Sequence, residues 1–419
     1  MPRTINLSRQ IKKQLPAELV EFLQTAGEVA SSRGESLYLV GGVVRDLLLA
    51  RGNLDLDLVV EGDAISLARR LADITGGKIT THARFNTAKL KWGAWSVDLA
   101  AARSETYERP GALPKVKPGS LASDLFRRDF TINAMAVVLG PARHGQLLDP
   151  YNGRGDLKDK LVRVLHEKSF IDDATRIWRG LRYEQRLDFQ LEPETLKLLK
   201  RDIPRLETIS GDRIRHELEL ILAEEYPEKV IRRAQELKVL PKIHPALKGD
   251  AWLSEKFTQA RSTGLPPAQL YLALLAYRLT GGEMGELILR LKLPRSLART
   301  LRDTGDLKAR LEFLADPGLK PSRLFALLKD YLPAAIMANY LASDSRLVKG
   351  HVRLFLDKLR DIKPALTGHD LQKMGVPSGP RMKEILQRLH EARLDGKITS
   401  KKGEEELVRG WVDSENTLS

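Results

Sequence analysis

Two glycines, an arginine and two aspartates near the start of the chain could do chemistry together. In chain order they are Gly41, Gly42, Arg45, Asp55 and Asp57. Glycines let backbone N–H groups approach a bulky anion closely. Side chains at i and i+2 of a strand point to one face, so the two carboxylates repel each other unless a cation lies between them. Either feature alone is usually a turn or a solvated strand end. Together, in a strand–turn–helix–strand context, they indicate metal-assisted nucleotidyl transfer.

A third acidic residue, Asp98, lies in the apolar segment at residues 95–99. If that segment is a strand beside the one that carries Asp55 and Asp57, three carboxylates are available to hold two Mg²⁺ ions. One ion would activate an attacking 3′-hydroxyl, and the other would stabilise the leaving pyrophosphate. The sequence leaves open the alternative that Asp98 caps a turn at the end of its strand.

A second polar cluster lies at residues 127–133. Arg127 and Arg128 carry planar guanidinium groups that suit a triphosphate. Asp129 and Asn133 are four residues apart, which is one helical turn, so they can share a face and bond ribose hydroxyls. The alternative is an arginine–aspartate surface pair at the start of a helix, but the strand pattern upstream favours a nucleotide site.

A third cluster, at the start of a long helical region, contains Asp173 and Arg176. Because they are three residues apart, they face the same way on a helix. An aspartate accepts a hydrogen bond from an exocyclic amino group, and an arginine donates to a ring nitrogen or a carbonyl. This pair matches the Watson–Crick edges of C and A and mismatches those of G and U. The alternative is an acidic first turn with an ion pair inside the helix.

Alternating strands and helices surround the first cluster. Hydrophobic spacing predicts an amphipathic helix over residues 11–33 and a second helix over 64–73 that ends at Gly76-Gly77. Strands are predicted at residues 37–40, 54–60, 78–81, 87–92 and 95–99. From about residue 166 the pattern is almost wholly helical, punctuated by proline and glycine. We therefore expect an α/β domain that ends around residue 140, followed by a long helical arm.

Composition limits the class of protein. The 419 residues include 69 Lys+Arg against 55 Asp+Glu, a formal net charge of +14, and no cysteine. The positive excess indicates a polyanionic partner, with nucleic acid favoured. Without cysteine there are no disulfides, thiolate metal sites or cysteine nucleophile. Because no apolar run reaches spanning length and the N-terminus lacks a signal-peptide pattern, we expect a cytoplasmic protein with no membrane partner. The oligomeric state is not readable from these features.

These residues together make the chain resemble a class II tRNA nucleotidyltransferase of the DNA polymerase β-like superfamily, which contains CCA-adding enzymes and their relatives. The catalytic motif of that family matches Gly41-Gly42, Arg45-Asp46 and Asp55-Leu56-Asp57. The ribose motif matches Arg127-Arg128-Asp129 with Asn133-Ala134. The hinge matches Asp149-Pro150 through Gly153, Asp156-Leu157 and Arg163. The protein template that selects the base matches Asp173, Arg176 and Arg179, although the usual Glu-Asp opening is here Asp172-Asp173. Further matches are Ser210-Gly211-Asp212-Arg213-Ile214 with Glu217-Leu218, and a tail segment at residues 366–371.

The resemblance implies an α/β nucleotidyltransferase head, with a mixed sheet and helices, followed by an all-α neck, body and tail. The implied boundaries are 1–142 for the catalytic head, 143–206 for the base-selecting neck, 207–320 for the body and 321–419 for the tRNA-binding tail. It also implies Mg²⁺ on Asp55 and Asp57, ATP and CTP as substrates and tRNA as partner. Gly41, Gly42, Arg45 and Arg128 would hold phosphates, and no nucleic-acid template would be needed.

Several activities within the family fit these motifs. CC-adding relatives look deleted in the loop at residues 99–126, whereas this chain keeps a polar loop there that includes Arg103 and Arg109. The basic stretch typical of bacterial poly(A) polymerases is replaced by residues 82–88. Residues 58–62 resemble A-adding enzymes. We expect full CCA addition, with terminal-A addition as the alternative. A poly(A) polymerase and a non-catalytic RNA-binding protein are the remaining possibilities, and the second would require lost acids.

Overall fold

Eleven strands are found in the part of the chain that the structure, a computed structural model, describes: residues 5–106, 115–262, 264 and 267–416. In chain order they are β1 Ser36–Val40, β2 Leu56–Glu61, β3 Lys78–His82, β4 Thr87–Trp92, β5 Trp95–Ala101, β6 Arg103–Thr106, β7 Lys115–Pro118, β8 Ala136–Val138, β9 Leu147–Leu148, β10 Leu161–Val162 and β11 Gln190–Leu191. The five predicted strands are confirmed with shifts of one or two residues at their ends.

Seven of these strands form one mixed sheet in the order β3-β4-β5-β2-β1-β8-β9. Strands β2 and β5 run parallel, and the other neighbours run antiparallel. The predicted neighbourhood of the Asp98 strand and the Asp57 strand is therefore confirmed. Two short ribbons, β6-β7 and β10-β11, stand outside the sheet.

Among the described residues up to 245, eleven α-helices accompany these strands. They are α1 Ser8–Gln14, α2 Ala17–Ser32, α3 Gly42–Leu48, α4 Ala64–Thr75, α5 Leu121–Phe126, α6 Gly153–Lys158, α7 Ser169–Asp172, α8 Thr175–Leu187, α9 Pro193–Asp202, α10 Gly211–Leu222 and α11 Pro227–Glu236. The single helix predicted over residues 11–33 is wrong, since α1 and α2 are separate. Pro16 restricts the preceding residue to extended backbone, and Leu15 has φ −100° and ψ 147°. Helix α4 ends at Gly76 as predicted.

The two faces of the sheet differ in character. Helices α2 and α4 pack on one face, over buried apolar side chains such as Leu90, Val97 and Leu99. On the opposite face, α5 and its neighbours cover β1 and β2, where Val40 and Val59 belong to a buried cluster. Beyond β2 this second face carries polar residues along β3, β4 and β5. The alternation is that of strands with one buried face.

The chain divides into two units, Met1–Pro245 and Ala246–Ser419. The second unit is helical in its described residues: α12 Ala251–Ala260, α13 Pro267–Ala276, α14 Gly281–Arg290, α15 Arg295–Lys308, α16 Pro321–Leu328, α17 Pro333–Ala342, α18 Arg346–Asp357, α19 Gly368–Lys373, α20 Pro380–Leu394 and α21 Lys401–Asn416. It contains a buried cluster around Leu324 and Val352 and another around Leu371 and Leu389. The predicted helical arm is confirmed apart from β11, and the four-part domain division stays a prediction.

None of the helices that the structure describes combines the length and apolar character that a membrane crossing requires.

Candidate active site

The turn after β1 brings backbone close to charged side chains. Strand β1 ends at Val40, Gly41 has φ 78°, and α3 begins at Gly42. A Cβ on Gly41 would lie 3.0 Å from Arg128 Nη1 and 3.5 Å from Asp57 Oδ2. The left-handed backbone and the close approach both favour glycine here. The predicted cradle therefore lies against an arginine and a carboxylate.

The three predicted acids come from neighbouring elements. Asp57 is on β2, Asp55 immediately precedes that strand, and Asp98 is the register partner of Asp57 on β5. Burial raises the pKa of Asp57 to about 6, and the neighbouring Asp55 and Asp98 carboxylates add to this effect against the opposing charge of Arg128. Burial and neighbouring negative charge disfavour the ionised form of this carboxylate, and a bound cation would stabilise that form.

Asp98 is also bonded to a lysine. Lys89 Nζ lies 2.9 Å from Asp98 Oδ2, and both side chains are about two-fifths exposed, at 43% and 41%. The Asp98 hydrogen bond raises the pKa of Lys89, so the amine stays charged. Within the described ranges, no three His, Asp or Glu side chains are grouped so that they could hold a metal ion together. Asp55 and Asp57 thus remain the pair proposed for the metal.

A chain of hydrogen bonds, buried at Arg45 and exposed at Asp55, connects the cradle to the acids. Arg45, only 3% exposed, donates from Nε and Nη2 to Asp46 at 2.8 Å each and from Nη1 to Asn133 Oδ1 at 2.8 Å. Asn53 donates from Nδ2 to Asp46 at 2.7 Å and accepts from the backbone N–H of Asp55 at 2.9 Å. Arg45 and Asp46 therefore position their neighbours, and the phosphate role of Arg45 stays a prediction.

Asp129 and Asn133 meet, but not through an α-helix. Asn133 donates from Nδ2 to Asp129 Oδ1 at 3.0 Å across a 3₁₀ turn at Thr131–Asn133 that follows an extended residue, Phe130. The expectation of a helical turn between them is wrong because the chain enters the turn from extended backbone. Arg179 Nη2 lies 2.7 Å from Asp129 Oδ2. Burial opposes ionisation, yet Arg179 and the Asn133 amide lower the pKa of Asp129.

The paired arginines share a buried carboxylate that the sequence reasoning missed. Asp124, on α5 and 0% exposed, accepts from Arg127 at 2.6 Å and from Arg128 at 3.0 Å. Arg127 also lies 3.1 Å from Glu105, which Arg103 contacts at 3.0 Å. The arginines are therefore held in place before any phosphate arrives.

The residues predicted to read the base are anchored separately. Asp173 accepts from the Thr175 backbone N–H at 3.0 Å and pairs with Arg213 at 2.8 Å. Arg176, at the start of α8 and 5% exposed, donates to Ser169 Oγ at 2.6 Å and to the Arg127 carbonyl at 2.5 Å. The Arg213 contact connects Asp173 to the segment at residues 210–214, which is one of the segments that resemble the family.

A cavity of about 540 Å³ joins these groups. Of the predicted residues it is lined by Gly41, Gly42, Arg45, Asp55, Asp57, Arg127, Arg128, Asp129, Asn133, Asp173, Arg176 and Arg179. Asp46 and Asp98 are not among the described residues that line it, Arg103 is on β6, and Arg109 falls outside the described residues.

Three further residues of α8, Arg182, Tyr183 and Arg186, line the same cavity and were missed. Their signal was available, because they continue the helical spacing of Arg176 and Arg179. Arg45 lies over the Tyr183 ring at 5.2 Å. The cavity therefore extends along the face of α8.

A glycine turn, two neighbouring acids, paired arginines and the polar face of α8 surround one cavity, an arrangement typical of nucleotidyltransferases. Residues 37–163 match the family described as "Poly A polymerase head domain", and residues 188–250 match "Probable RNA and SrmB- binding site of polymerase A".

Relatives of known activity indicate which nucleotidyltransferases the chain is similar to. The chain is 33% identical, over 99% of its length and 97% of the relative, to an A-adding tRNA nucleotidyltransferase of Halalkalibacterium halodurans. It is 35% identical to an A-adding tRNA nucleotidyltransferase of Geobacter sulfurreducens over 96% of this chain, but spans only 48% of that relative. A Thermotoga maritima CCA-adding enzyme, solved in complex with tRNA, superposes with a TM-score of 0.75 at 30% identity over 98% of this chain and 100% of that one. The chain belongs to the family of tRNA nucleotidyltransferases that contains these A-adding and CCA-adding enzymes.

Proposed function

We propose that the chain adds nucleotides from CTP and ATP to the 3′ end of tRNA, without a nucleic-acid template, to build the CCA sequence. One observation carries the proposal. Gly41, Arg128 and Asp57 meet within 3.5 Å of one point, where a Cβ on Gly41 would lie. A phosphate cradle and a metal-binding acid are thus adjacent, as transfer to an α-phosphate requires.

The reaction forms one bond and breaks one. The tRNA 3′-oxygen attacks the α-phosphorus of the incoming triphosphate, the hydroxyl proton is released, and the bond to the bridging oxygen breaks so that pyrophosphate leaves. Enzymes of this class use divalent metal ions, and we propose Mg²⁺ on Asp55 and Asp57. Bound there, the ion would supply a positive charge that polarises both the hydroxyl and the α-phosphate. Arg127 and Arg128, held by Asp124, neutralise the departing phosphates.

The ribose and the base of the incoming nucleotide are recognised on the side of the cavity formed by α8. Asp129 and Asn133 carry the oxygen and amide groups that can bond ribose hydroxyls. Asp173 and Arg176 present an acceptor and a donor to the base edge. Because both are fixed by other protein groups, discrimination needs no nucleic-acid template.

A second candidate is addition of the terminal A alone. It is favoured by the two relatives named above as A-adding enzymes, at 35% and 33% identity. In that case CTP would not be used, and tRNA already ending in CC would be the substrate.

The second unit offers basic residues for the rest of the tRNA. Its exposed basic residues include Lys292, Arg295, Arg299, Arg302, Arg353, Lys401 and Lys402, and Lys349 is half-buried. Contacts from such side chains to phosphates make binding sensitive to salt. With tRNA and nucleoside triphosphates as substrates, we expect the protein to act in the cytoplasm.

The test uses radiolabelled tRNA ending at the discriminator base and the same tRNA ending in CC, each with Mg²⁺, CTP and ATP. Completion of both supports CCA addition, and extension of the CC-ending tRNA alone, by one A, supports the second candidate. Asp55→Ala should abolish transfer while tRNA binding persists, and Asp73→Ala, an exposed residue on α4, should leave transfer unchanged. Transfer retained by purified Asp55→Ala would reject the assignment.

A further inference from the structure

The open face of the sheet beside the acids carries a row of aligned polar residues. Asp57 on β2 is the register partner of Asp98 on β5, Asp98 is the partner of Lys89 on β4, and Lys89 is the partner of Thr80 on β3. Neighbouring strands are about 4.8 Å apart, so the row crosses roughly 15 Å of surface. It begins at a catalytic acid and ends at the edge strand.

This face is a groove with a positive lining. A depression of about 460 Å³ runs over it and is lined on the β3 and β4 side by Thr80, His82, Thr87, Lys89 and Lys91. Lys91 and His82 are exposed, and Lys89 is 43% exposed. Because the apolar side chains of these strands point to the other face, under α4, this face presents polar side chains to a ligand.

The groove and the nucleotide cavity meet at the acids. Asp57, Arg127 and Arg128 line both depressions. In phosphoryl transfer the attacking and leaving oxygens lie roughly in line, on opposite sides of the reacting phosphorus. If the triphosphate occupies the arginine-lined cavity, the attacking hydroxyl must therefore arrive from the other side of Asp57. The lysine-lined groove is on that side.

We propose that the open face of β3, β4 and β5 binds the 3′-terminal nucleotides of the acceptor RNA, with Lys89 and Lys91 on its phosphodiesters. This inference rests on the proposed function and assigns a site to its second substrate. Lys89 is bonded to Asp98, so its amine lies directly beside the acids. When a phosphodiester binds, Lys89 turns to it and frees Asp98 for the reacting hydroxyl.

Charge favours a nucleic-acid backbone as the occupant. Lys78, the register partner of Lys91, adds a third exposed lysine at the edge of this face. Lysines spaced along neighbouring strands suit the repeated phosphates of a single strand, and contact through phosphates is independent of base sequence. This fits an acceptor whose last base changes after each addition.

The test separates the two substrates kinetically. Lys91→Ala should raise KM for tRNA ending in CC about 5-fold or more, leave KM for ATP within 2-fold, and reduce the dependence of log KM on log salt by about 0.7, the loss of one phosphate contact. Lys89→Ala should have the same effects on the two KM values and on the salt dependence. The matched control is Lys13→Ala, an exposed lysine on α1, which should change none of these quantities.

A second measurement does not depend on turnover. Photo-crosslinking of tRNA with 4-thiouridine at its 3′ terminus should label peptides within residues 78–101. Labelling elsewhere, or KM values for tRNA in Lys89→Ala and Lys91→Ala equal to that of Lys13→Ala, overturns the groove assignment. Failure of the proposed function gives a different result, because the wild-type protein would then extend neither tRNA.

Discussion

The Asn53 side chain donates a hydrogen bond to the Asp46 carboxylate at 2.7 Å. Its carbonyl accepts from the backbone N–H of Asp55 at 2.9 Å. Asp46 is itself held by both nitrogens of the buried Arg45. Asn53 is therefore a positioning residue that connects the helix after the glycine turn to the first of the two acids proposed to hold the metal ion.

Asn53→Ala should raise the Mg²⁺ concentration for half-maximal activity about 10-fold and lower kcat, because residues that orient metal ligands typically matter by 10–100-fold. Titration of transfer with Mg²⁺ measures this. Asn6→Ala is the control, since it removes another amide hydrogen bond, to the His144 carbonyl, far along the chain from the acids. An unchanged Mg²⁺ titration in the Asn53 variant would exclude the positioning role.

Gly41→Ala should reduce kcat/KM for ATP by about 100-fold. A side chain at φ 78° costs about 1–2 kcal/mol, and its Cβ would also press on Arg128 and Asp57. Gly34→Ala is a matched control, with φ 71° and no atom within 4 Å of the new Cβ. Thermal melts should show similar destabilisation in both variants. Equal activity of the two would mean that the close approach at Gly41 is irrelevant to catalysis.

The titration of Asp57 should make the free energy of unfolding of the metal-free protein depend on pH. Its pKa is raised from 3.8 to about 6, so the folded protein binds this proton more tightly than the unfolded chain does. The contribution is complete below about pH 3.8 and is lost as pH rises through about 6. Asp57→Asn should therefore gain about 1–3 kcal/mol relative to wild type between pH 4 and pH 8 in EDTA.

Denaturant unfolding at pH 4 and pH 8 measures the gain in stability of Asp57→Asn. The control is Asp73→Asn, at an exposed residue on α4. Activity should show the related effect, since a proton and a cation compete for Asp57. The Mg²⁺ requirement should rise as pH falls below about 6. A pH-independent difference between Asp57→Asn and wild type would contradict the burial effect.

Asp124→Asn should cost about 2–4 kcal/mol of stability and raise KM for ATP, because two partly buried arginines lose their shared carboxylate. Arg128 and Arg127 lower the pKa of Asp124 although burial opposes this. Its contribution is thus present above the ordinary carboxyl pKa and is lost as pH falls. Glu105→Gln, which removes one more distant partner of Arg127, should have a smaller effect in the same assays.

Arg176→Ala should relax discrimination against GTP and UTP by about 10–100-fold, the value of a charged hydrogen bond. Single-nucleotide incorporation assays on CC-ending tRNA measure it. Ser169→Ala, which removes an anchor of the guanidinium but keeps its charge, should give a smaller loss of selectivity. Unchanged selectivity in Arg176→Ala would rule out base reading by this residue.

The sequence was sufficient to predict the strands, and the positions of Asp57 and Asp98 on two of them, because these depend on local alternation. Asp57 and Asp98 lie on neighbouring strands as expected. Asp124 was missed because an aspartate three and four residues before arginines looks like a surface pair, and its complete burial depends on packing of α5 over the sheet. That packing is not readable from spacing alone.

Long-range packing also explains why the buried arginine of α8, Arg182, was missed in the sequence analysis. Arg182 is 7% exposed although helices usually leave arginines in solvent, because α10 and α11 pack against α8 from later in the chain. Its contacts with Glu217 and Glu224, at 3.9 and 3.4 Å, are long-range. By contrast, the break at Pro16, where one helix was expected over residues 11–33, is a local feature, and the backbone restriction before proline was a signal that could have predicted it.

Strand β3 forms one border of the sheet, with β4 as its neighbour. Unpaired strand borders attract other strands, and lysines are a common protection against such self-association. The sequence of β3 carries Lys78, two threonines and His82 around a single isoleucine, a composition that disfavours pairing with a strand of another molecule. Variants that remove several of these charges should lose solubility before they lose their fold.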